Sequence, residues 1–269
     1  MSATAFHNRK FSIALVGVLV VATAVFGVAH FYPALGPIAG TVTPQLYVES
    51  LPGIQIPARG RSVLVDAASA RLYMMEDGRV RDSMRVIVGK PDTPTPSLKS
   101  TIHYETLNPY WHVSSDLART LIAPRVLQDG KDYLTTRGYE VVSAFAPGAE
   151  VLSPDSVDWK AVAAGKAQVF VRQRPGPANS LGQVKFDLPD GGGIYLHDTP
   201  KKELFAQDTR NLSHGCVRLE DAQKLARWML GKDPPAASEP EEHILLPRPV
   251  PITISYLDSK AQMQLALLQ

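Results

Sequence analysis

The sequence predicts a mainly β, β-rich α+β fold, and three observations predict it. The 269 residues include 22 prolines and 19 glycines, more chain-breaking residues than a helical bundle accommodates. Short runs of strand-like alternation are separated by turn signals such as Asp77-Gly78 and Asp190-Gly191-Gly192-Gly193. Only residues 220–230 combine a strong helical period with marked ends. With 45% apolar residues the chain can bury one substantial core, or a core and a smaller appendage. A net charge of +2, mixed along the chain, lacks the basic stripe of a nucleic-acid binder and argues against that class.

His7, Arg9 and Lys10 precede an apolar run over residues 11–31, interrupted only by Ser12, Thr23 and His30. About 20 apolar residues cross a bilayer as a helix, whereas a cleavable signal core is about 7–15 residues. Residues 1–32 are therefore expected to be an uncleaved signal anchor. The basic flank would stay cytoplasmic and the rest would be exported to the periplasm from the inner membrane. Cleavage near Gly27-Val28-Ala29, releasing the remainder to the periplasm, is the alternative. Residues 33–60, with Pro33, Pro37, Pro44, Pro52 and Pro57, are expected to be an extended linker.

Residues 61–65 and 71–76 have strand character, and Asp77-Gly78 turns the chain into a returning strand over 80–88. Met74, Val80, Met84, Val86 and Val88 are expected on one buried face. Residues 100–107 form a further candidate strand, ending at the abrupt turn Asn108-Pro109-Tyr110-Trp111. Ser114 or Ser115 can cap a helix near Asp116 that Pro124 should end near Ala123. A second helical pattern spans 153–164, and the irregular stretch 114–174 reads as a cap or lid inserted between strands. Strand alternation resumes over 168–173, 183–188 and 194–197, and a final strand is expected over 252–257. Around 220–230, Leu219, Ala222, Leu225, Ala226 and Met229 are expected on one helix face, acidic residues open the first turn and Gly231 follows the end. Residues 258–269 are expected to be a tail without assigned structure.

Cys216 is the single cysteine, so no intramolecular disulfide can form. In an oxidising compartment a lone thiol risks overoxidation, and retaining one there points to function. It lies in Ser213-His214-Gly215-Cys216-Val217-Arg218, downstream of Tyr195-Leu196-His197-Asp198-Thr199-Pro200. A thiolate is the nucleophile, and at a free pKa of about 8.5 few molecules are ionised at neutral pH, so a histidine must take the proton. His197 can arrive from a neighbouring strand; His214, two residues from Cys216, faces the same way if the backbone is extended. Gly215 lets an acyl group approach the N–H groups of Gly215 and Cys216, an oxyanion site in which one donor is worth about 2.7–4 kcal/mol. Arg218 and Arg210 would suit a carboxylate-bearing substrate, or be ordinary surface charges. A structural zinc on Cys216, His197 and His214 remains an alternative, although no CxxC or HExxH accompanies them. His103, by contrast, is expected to be a hydrogen-bonded core residue.

These motifs closely resemble the active-site signature of the L,D-transpeptidases with a YkuD-type catalytic domain. Gly89-Lys90-Pro91-Asp92-Thr93-Pro94-Thr95-Pro96, Leu107-Asn108-Pro109-Tyr110-Trp111, Pro175-Gly176-Pro177-Ala178-Asn179-Ser180-Leu181-Gly182 and Tyr195–Pro200 look like the YcbB-like branch. The resemblance implies a catalytic domain over residues 61–257 with a capping subdomain over about 114–174. It implies Cys216 as nucleophile and His197 as general base. His214, Gly215 and Ser213 would line the site and its oxyanion pocket, and Arg218, Tyr195, Trp111 and Asn211 would contact substrate. Peptidoglycan tetrapeptide stems would be cleaved after meso-diaminopimelate, releasing D-alanine, and a second stem would resolve the thioester to a 3→3 cross-link. No cofactor or metal is implied, and cell-wall synthesis proteins are the implied partners. Larger members of that branch carry a separate wall-binding domain, for which residues 33–60 are too few. That leaves hydrolysis, D-amino-acid exchange or attachment of a protein to the wall as other fates of the same acyl-enzyme, and a non-catalytic wall-binding module as the reading from another class.

Overall fold

The computed structural model describes residues 47–51, 54–189 and 191–269. The expected anchor lies outside them, and among the described residues no helix is long and apolar enough to cross a membrane. The end of the expected linker is not a tether. Strands β1 (Tyr47–Leu51) and β2 (Ile54–Pro57) pair antiparallel, and Leu51, Ile54 and Ile56 are buried. The prolines there suggested an unstructured chain, but apolar alternation in Ile54 and Ile56 gives the pair a face to bury.

The strands that follow are β3 (Arg61–Asp66), β4 (Arg71–Glu76), β5 (Arg79–Gly89), β6 (Leu98–Leu107), β7 (Trp111–Val113), β8 (Tyr139–Val142), β9 (Val151–Leu152), β10 (Phe170–Gln173), β11 (Val184–Asp187), β12 (Tyr195–His197), β13 (Asn211–Ser213), β14 (Val217–Leu219) and β15 (Glu242–Ser255). Nine of them form one mixed sheet in the order β13-β5-β14-β12-β11-β6-β15-β3-β4. A further β4–β5 pairing joins the end of this order back to β5, so all but β13 form a closed ring. Closure removes the free strand edges on which chains aggregate.

Strands β3 and β4 are buried on both faces. Val63, Val65, Leu72 and Met74 point into the central core, while Leu64, Tyr73 and Met75 point to a second cluster with Leu51, Ile54 and Ile56. Val80 joins this second cluster rather than the expected first face. A shift in the β4–β5 register, between Met74↔Asp82 and Met75↔Val80, accounts for the change of face.

The segment inserted between β6 and β11 builds its own sheet, β7-β10-β8-β9, starting at Trp111 rather than 114. Its core contains Trp111, Val113, Ile122, Leu134, Val141, Trp159 and Val171. Ser114 Oγ accepts from Leu117 N and opens α1 (Ser115–Leu117). Pro124 does not end the helix here. A single π turn over Ala118–Ile122, in which Ala123 N bonds Ala118 O, moves aside the carbonyl that the Pro124 ring would strike, and α2 (Ala123–Asp129) continues. A short α3 (Asp132–Thr136) follows. The expected helix over 153–164 is two pieces: extended Val157 separates the turn Pro154–Ser156 from α4 (Trp159–Ala163), each with its own side-chain cap. Asn179, buried, clasps the insertion's two ends. Its Nδ2 donates to Pro109 O and Arg174 O, and its Oδ1 accepts from Leu181 N.

Helix α5 (Ala222–Leu230) is capped by Asp221, whose Oδ1 accepts from Lys224 N at 2.9 Å, and stopped by left-handed Gly231. Its Leu225, Ala226 and Met229 complete the central core. Leu219, expected on the helix face, ends β14 and reaches the central core from the sheet, and Glu220 lies outside the helix and pairs with Arg85 instead. The last strand is far longer than 252–257. Pro247 and Pro249 sit, exposed, where the β15–β6 register is interrupted between Leu245 and Val250, so they remove no ladder bond there. The expected tail contains α6 (Ser259–Ala266), with Ala261 and Leu265 in the second cluster. Buried Asp66 anchors it: Oδ1 accepts from Leu257 N at 3.1 Å and Oδ2 from Gln262 Nε2 at 2.8 Å. His103, expected in the core, is exposed on β6.

Candidate active site

Parallel β12 and β14 pair Leu196 with Val217 and His197 with Arg218. Leu196 and Val217 are fully buried in the central core. Side chains alternate, so Tyr195, His197 and Arg218 point to the opposite face, with Cys216 one step before β14 beside Tyr195. The same face receives Lys185 and Asp187 from β11, opposite His197 and Tyr195 respectively.

The turn preceding β14 is tightly built. Ser213 Oγ donates to Cys216 O at 2.6 Å and accepts from Gly215 N at 3.1 Å. The Gly215 N–H is thereby occupied, so of the two backbone donors suggested for an oxyanion, that of Cys216 is the one left to serve. Gly215 has φ of 111° and an added Cβ would lie 3.1 Å from Ile194 Cδ1, so glycine is required. The loop after β5 supports this turn from beneath. Buried Thr95 donates to Gly215 O at 2.7 Å and accepts from Gly89 N at 2.8 Å, and a Cβ on Gly89 would strike Thr93 O and Thr95 N.

His197 is 4% exposed, and its Nδ1–H donates to the Asp198 carbonyl. That bond fixes the tautomer and leaves the Nε2 lone pair as acceptor. Burial, aided by the Arg218 charge, pushes its imidazole down to about 3, so it is neutral at physiological pH. Burial pushes the Cys216 thiol up, opposed by hydrogen bonds from Tyr195 and by the charges of Arg218 and Lys185. Cys216 Sγ also reaches Gly193 O at 3.8 Å. Tyr195 packs against the cluster that contains Trp111, and burial, reinforced by the nearby Cys216 and Asp187 and opposed by the Trp111 indole, holds its pKa well above the usual phenol value. A residue of the capping sheet thus touches the residue that touches the thiol. A neutral thiol and a neutral imidazole brought onto one face by paired strands have the chemistry for general-base proton removal as the sulfur attacks.

Other expected site residues divide. Arg218 is half-buried, its Nε has no hydrogen-bond partner, and burial pushes its guanidinium down. Among the described residues it makes no ion pair, so its charge is available in the site. His214 is exposed, because the left-handed turn at Gly215 breaks the extended geometry that would align it with Cys216. Partial desolvation and then Lys90 push its imidazole down, against Asp92 and Asp116. Asn211 donates to Gly89 O at 3.4 Å and belongs to the β13–β5 pairing. Arg210 is consumed by carbonyls, donating to Val86 O, Gln207 O, Ser69 O and Ala70 O. Among the described residues no cluster of three or more His, Cys, Asp or Glu is placed to hold a metal ion. A separate cleft of about 600 Å³, lined by Arg85, Lys202, Phe205, Glu220 and Lys224, contains neither Cys216 nor His197. Sequence reasoning did not single out Lys185 or Thr95 individually; alternation through Phe186 would have placed Lys185 on the site face, but nothing local marks Thr95.

A buried imidazole on β12 and a thiol in the turn that opens the parallel β14 suit one class, the L,D-transpeptidase catalytic domain. The family model of the YkuD L,D-transpeptidase catalytic domain matches residues 60–252, and the chain belongs to that family. A Haemophilus influenzae protein whose description carries the term L,D-transpeptidase is 34% identical over 175 residues, which is 65% of this chain and 35% of that protein. The chain therefore spans about a third of the length of that relative. Among solved structures, an L,D-transpeptidase from Mycobacterium smegmatis is 17% identical with a TM-score of 0.37, covering 72% of this chain and 58% of that one. The catalytic domain of an Enterococcus faecium L,D-transpeptidase, acylated by ertapenem, is 13% identical with a TM-score of 0.37, covering 73% and 98%. At these scores the structural likeness carries no argument about the site.

Proposed function

We propose that this protein is a cysteine L,D-transpeptidase that joins peptidoglycan stems through a thioester at Cys216. The observation that carries the reading is the fixed, neutral His197, its Nδ1–H tied to Asp198 O and its Nε2 left to accept, one strand from the thiol. His197 takes the thiol proton as Cys216 Sγ attacks the carbonyl of the L-centre of meso-diaminopimelate in a tetrapeptide stem. The Cys216 N–H faces the developing oxyanion, while the Tyr195 hydroxyl is directed at the sulfur. Collapse breaks the peptide bond to D-alanine, whose amine leaves with the proton from His197. The amine of a second stem then attacks the thioester carbonyl, loses its proton through His197 to the departing sulfur, and leaves a 3→3 cross-link with Cys216 restored. Arg218, unpaired and half-buried, is placed to receive a stem carboxylate. Trp111 and Tyr195 connect the cap to this site, supporting a lid of the YcbB-like kind. The apolar run at residues 11–31 supports placement in the periplasm on an inner-membrane anchor.

The test is incubation of the protein with purified tetrapeptide muropeptides, read by mass spectrometry. Cross-linked dimers with loss of D-alanine are the expected products. Tripeptides alone would assign a carboxypeptidase, exchanged termini an amino-acid exchange, and no product with intact Cys216 would sink the enzyme reading.

A further inference from the structure

Two of the motifs noted above, Asn179–Gly182 and His197–Pro200, meet in space. Gly182 has φ of +63°, and a Cβ there would fall 2.3 Å from Asp198 Oδ2, so the Asp198 carboxylate fills the space a side chain would take. Asp198 Oδ2 accepts from Gln183 N at 3.0 Å, and its own N–H donates to Val184 O at 2.9 Å. Asp198 Oδ1 accepts from Lys202 Nζ at 2.6 Å. The same ammonium donates to Glu220 O at 2.8 Å and Leu219 O at 3.3 Å. Asp198 follows His197 directly and supplies the carbonyl that holds its Nδ1–H. Leu219 ends the strand that begins just after Cys216, and Glu220 follows it directly. One side chain therefore grips the ends of both strands, β12 carrying the imidazole and β14 leading from the thiol.

We propose that Lys202 is a positioning residue for the reaction: through Asp198 it fixes the His197 imidazole against Cys216. The three donor hydrogens of an ammonium are matched by three acceptors, one carboxylate oxygen and two carbonyls, so the grip uses the full valence of the group. Parallel strands this short, three residues each, share few ladder bonds, and an external tie then has leverage on their relative position. The proposal deepens the function above and rests on it for the role of His197. Misplacing a base by a fraction of an ångström slows proton transfer without changing how substrate is bound.

The test is Lys202→Met in the full chain, with Lys202→Arg and Asp198→Asn beside it. Alkylation of Cys216 by iodoacetamide is followed from about pH 5 to about pH 10, and muropeptide turnover is measured in parallel. Lys202→Met is expected to slow alkylation about tenfold near neutral pH and to draw closer to wild type toward the alkaline end, as the thiol ionises without a base. Turnover should lose a similar factor in kcat with KM changed less than about twofold. Lys202→Arg, keeping charge and donors, should recover most of the rate, and Asp198→Asn should shift the profile in the same direction. Superimposable profiles overturn the proposal, as does a loss equal at every pH, which is the mark of damaged folding. Alkylation needs no wall substrate. A wild-type chain that alkylates normally yet turns over no muropeptide would sink the functional reading and leave the positioning result standing.

Discussion

The ring and the inserted cap treat buried polarity differently. Among the described residues, the buried side-chain atoms lacking a hydrogen-bond partner belong to Ser100, Glu105, Arg218, Trp228 and Gln264, all outside the Trp111–Gln173 sheet and its helices. The cap satisfies what it buries: Gln173 donates to Arg137 O and Ala178 O and accepts from Ser180 N, and the Trp159 indole donates to Pro154 O. Buried unsatisfied groups cost free energy and concentrate where structure serves chemistry. Of these residues, Arg218 alone belongs to the site; Ser100 and Glu105 lie on β6, and Trp228 and Gln264 on α5 and α6, so the unmet polarity is carried by the main domain, while the inserted sheet is internally satisfied and meets the site where Trp111 packs near Tyr195.

Removing the thiol should break this comparison most severely. Cys216→Ala is expected to abolish acyl transfer while changing stability by less than about 1 kcal/mol, because the side chain is small, only partly buried and outside the central core. Measurable turnover in the variant would refute the nucleophile assignment. His197→Ala should cost about 10²–10⁴-fold in rate, against less than about tenfold for exposed His214→Ala. Equal effects would undo the assignment of His197 as base. The pH profile carries its own sign. With its imidazole pushed down to about 3, His197 stays neutral above about pH 4, so its protonation causes no fall in activity from there to neutrality. With the Cys216 thiol pushed up, alkylation should climb toward alkaline pH. A flat alkylation profile below neutrality would instead reveal a preformed thiolate–imidazolium pair.

The ring's interior offers a smaller, purely energetic test. Glu105 is fully buried with both carboxylate oxygens unpartnered, opposite Ile244 and two residues from Leu107. Burial pushes its pKa up to about 7. Between about 4.5 and 7 the folded chain holds a proton that the unfolded chain has released, so this residue erodes stability as pH rises through that window. Glu105→Gln removes the ionisation. Its stability relative to wild type should be about 2–3 kcal/mol more favourable at pH 8 than at pH 5, read from denaturant midpoints. A difference independent of pH would show that the carboxylate has found a partner.

The same contrast explains what could be read from sequence. The β3–β4–β5 meander was legible because strong alternation flanks Asp77-Gly78, and α5 because caps and period agree. Among the candidate site residues, Cys216 stood out as the single cysteine and His197 through the motif Tyr195–Pro200, and the structure sets them on β12 and just before its partner β14. Strands β13 and β14, three residues each, carry too little pattern and exist because β5 and β12 hold them. The first part of β15 was hidden by its prolines, and α6 by an apolar face completed only by the β1–β2 pair. The obligations of Gly182, Asp198 and Lys202 are likewise tertiary, visible only once β11, β12 and β14 lie side by side.

The smallest effect probes the contact between the two regions. Trp111 is 9% exposed and lies in the cap's own core, with its indole N–H in electrostatic reach of the Tyr195 hydroxyl, which in turn neighbours Cys216. Trp111→Phe keeps most of the apolar volume and deletes that N–H. A net hydrogen bond of the kind this N–H can make is worth about 1 kcal/mol, so acyl transfer should fall by roughly fivefold. The loss should come in kcat, because the N–H orients Tyr195 at the thiol. Stability should fall modestly as well, since a smaller ring leaves a gap in the cap's core. Tyr195→Phe supplies the second arm: if the cap acts on the thiol through this hydroxyl, adding Trp111→Phe to it should cost no further rate. Additive losses in the double variant would mean that the cap reaches the site by another route, and the ring would then be catalytically independent of Trp111.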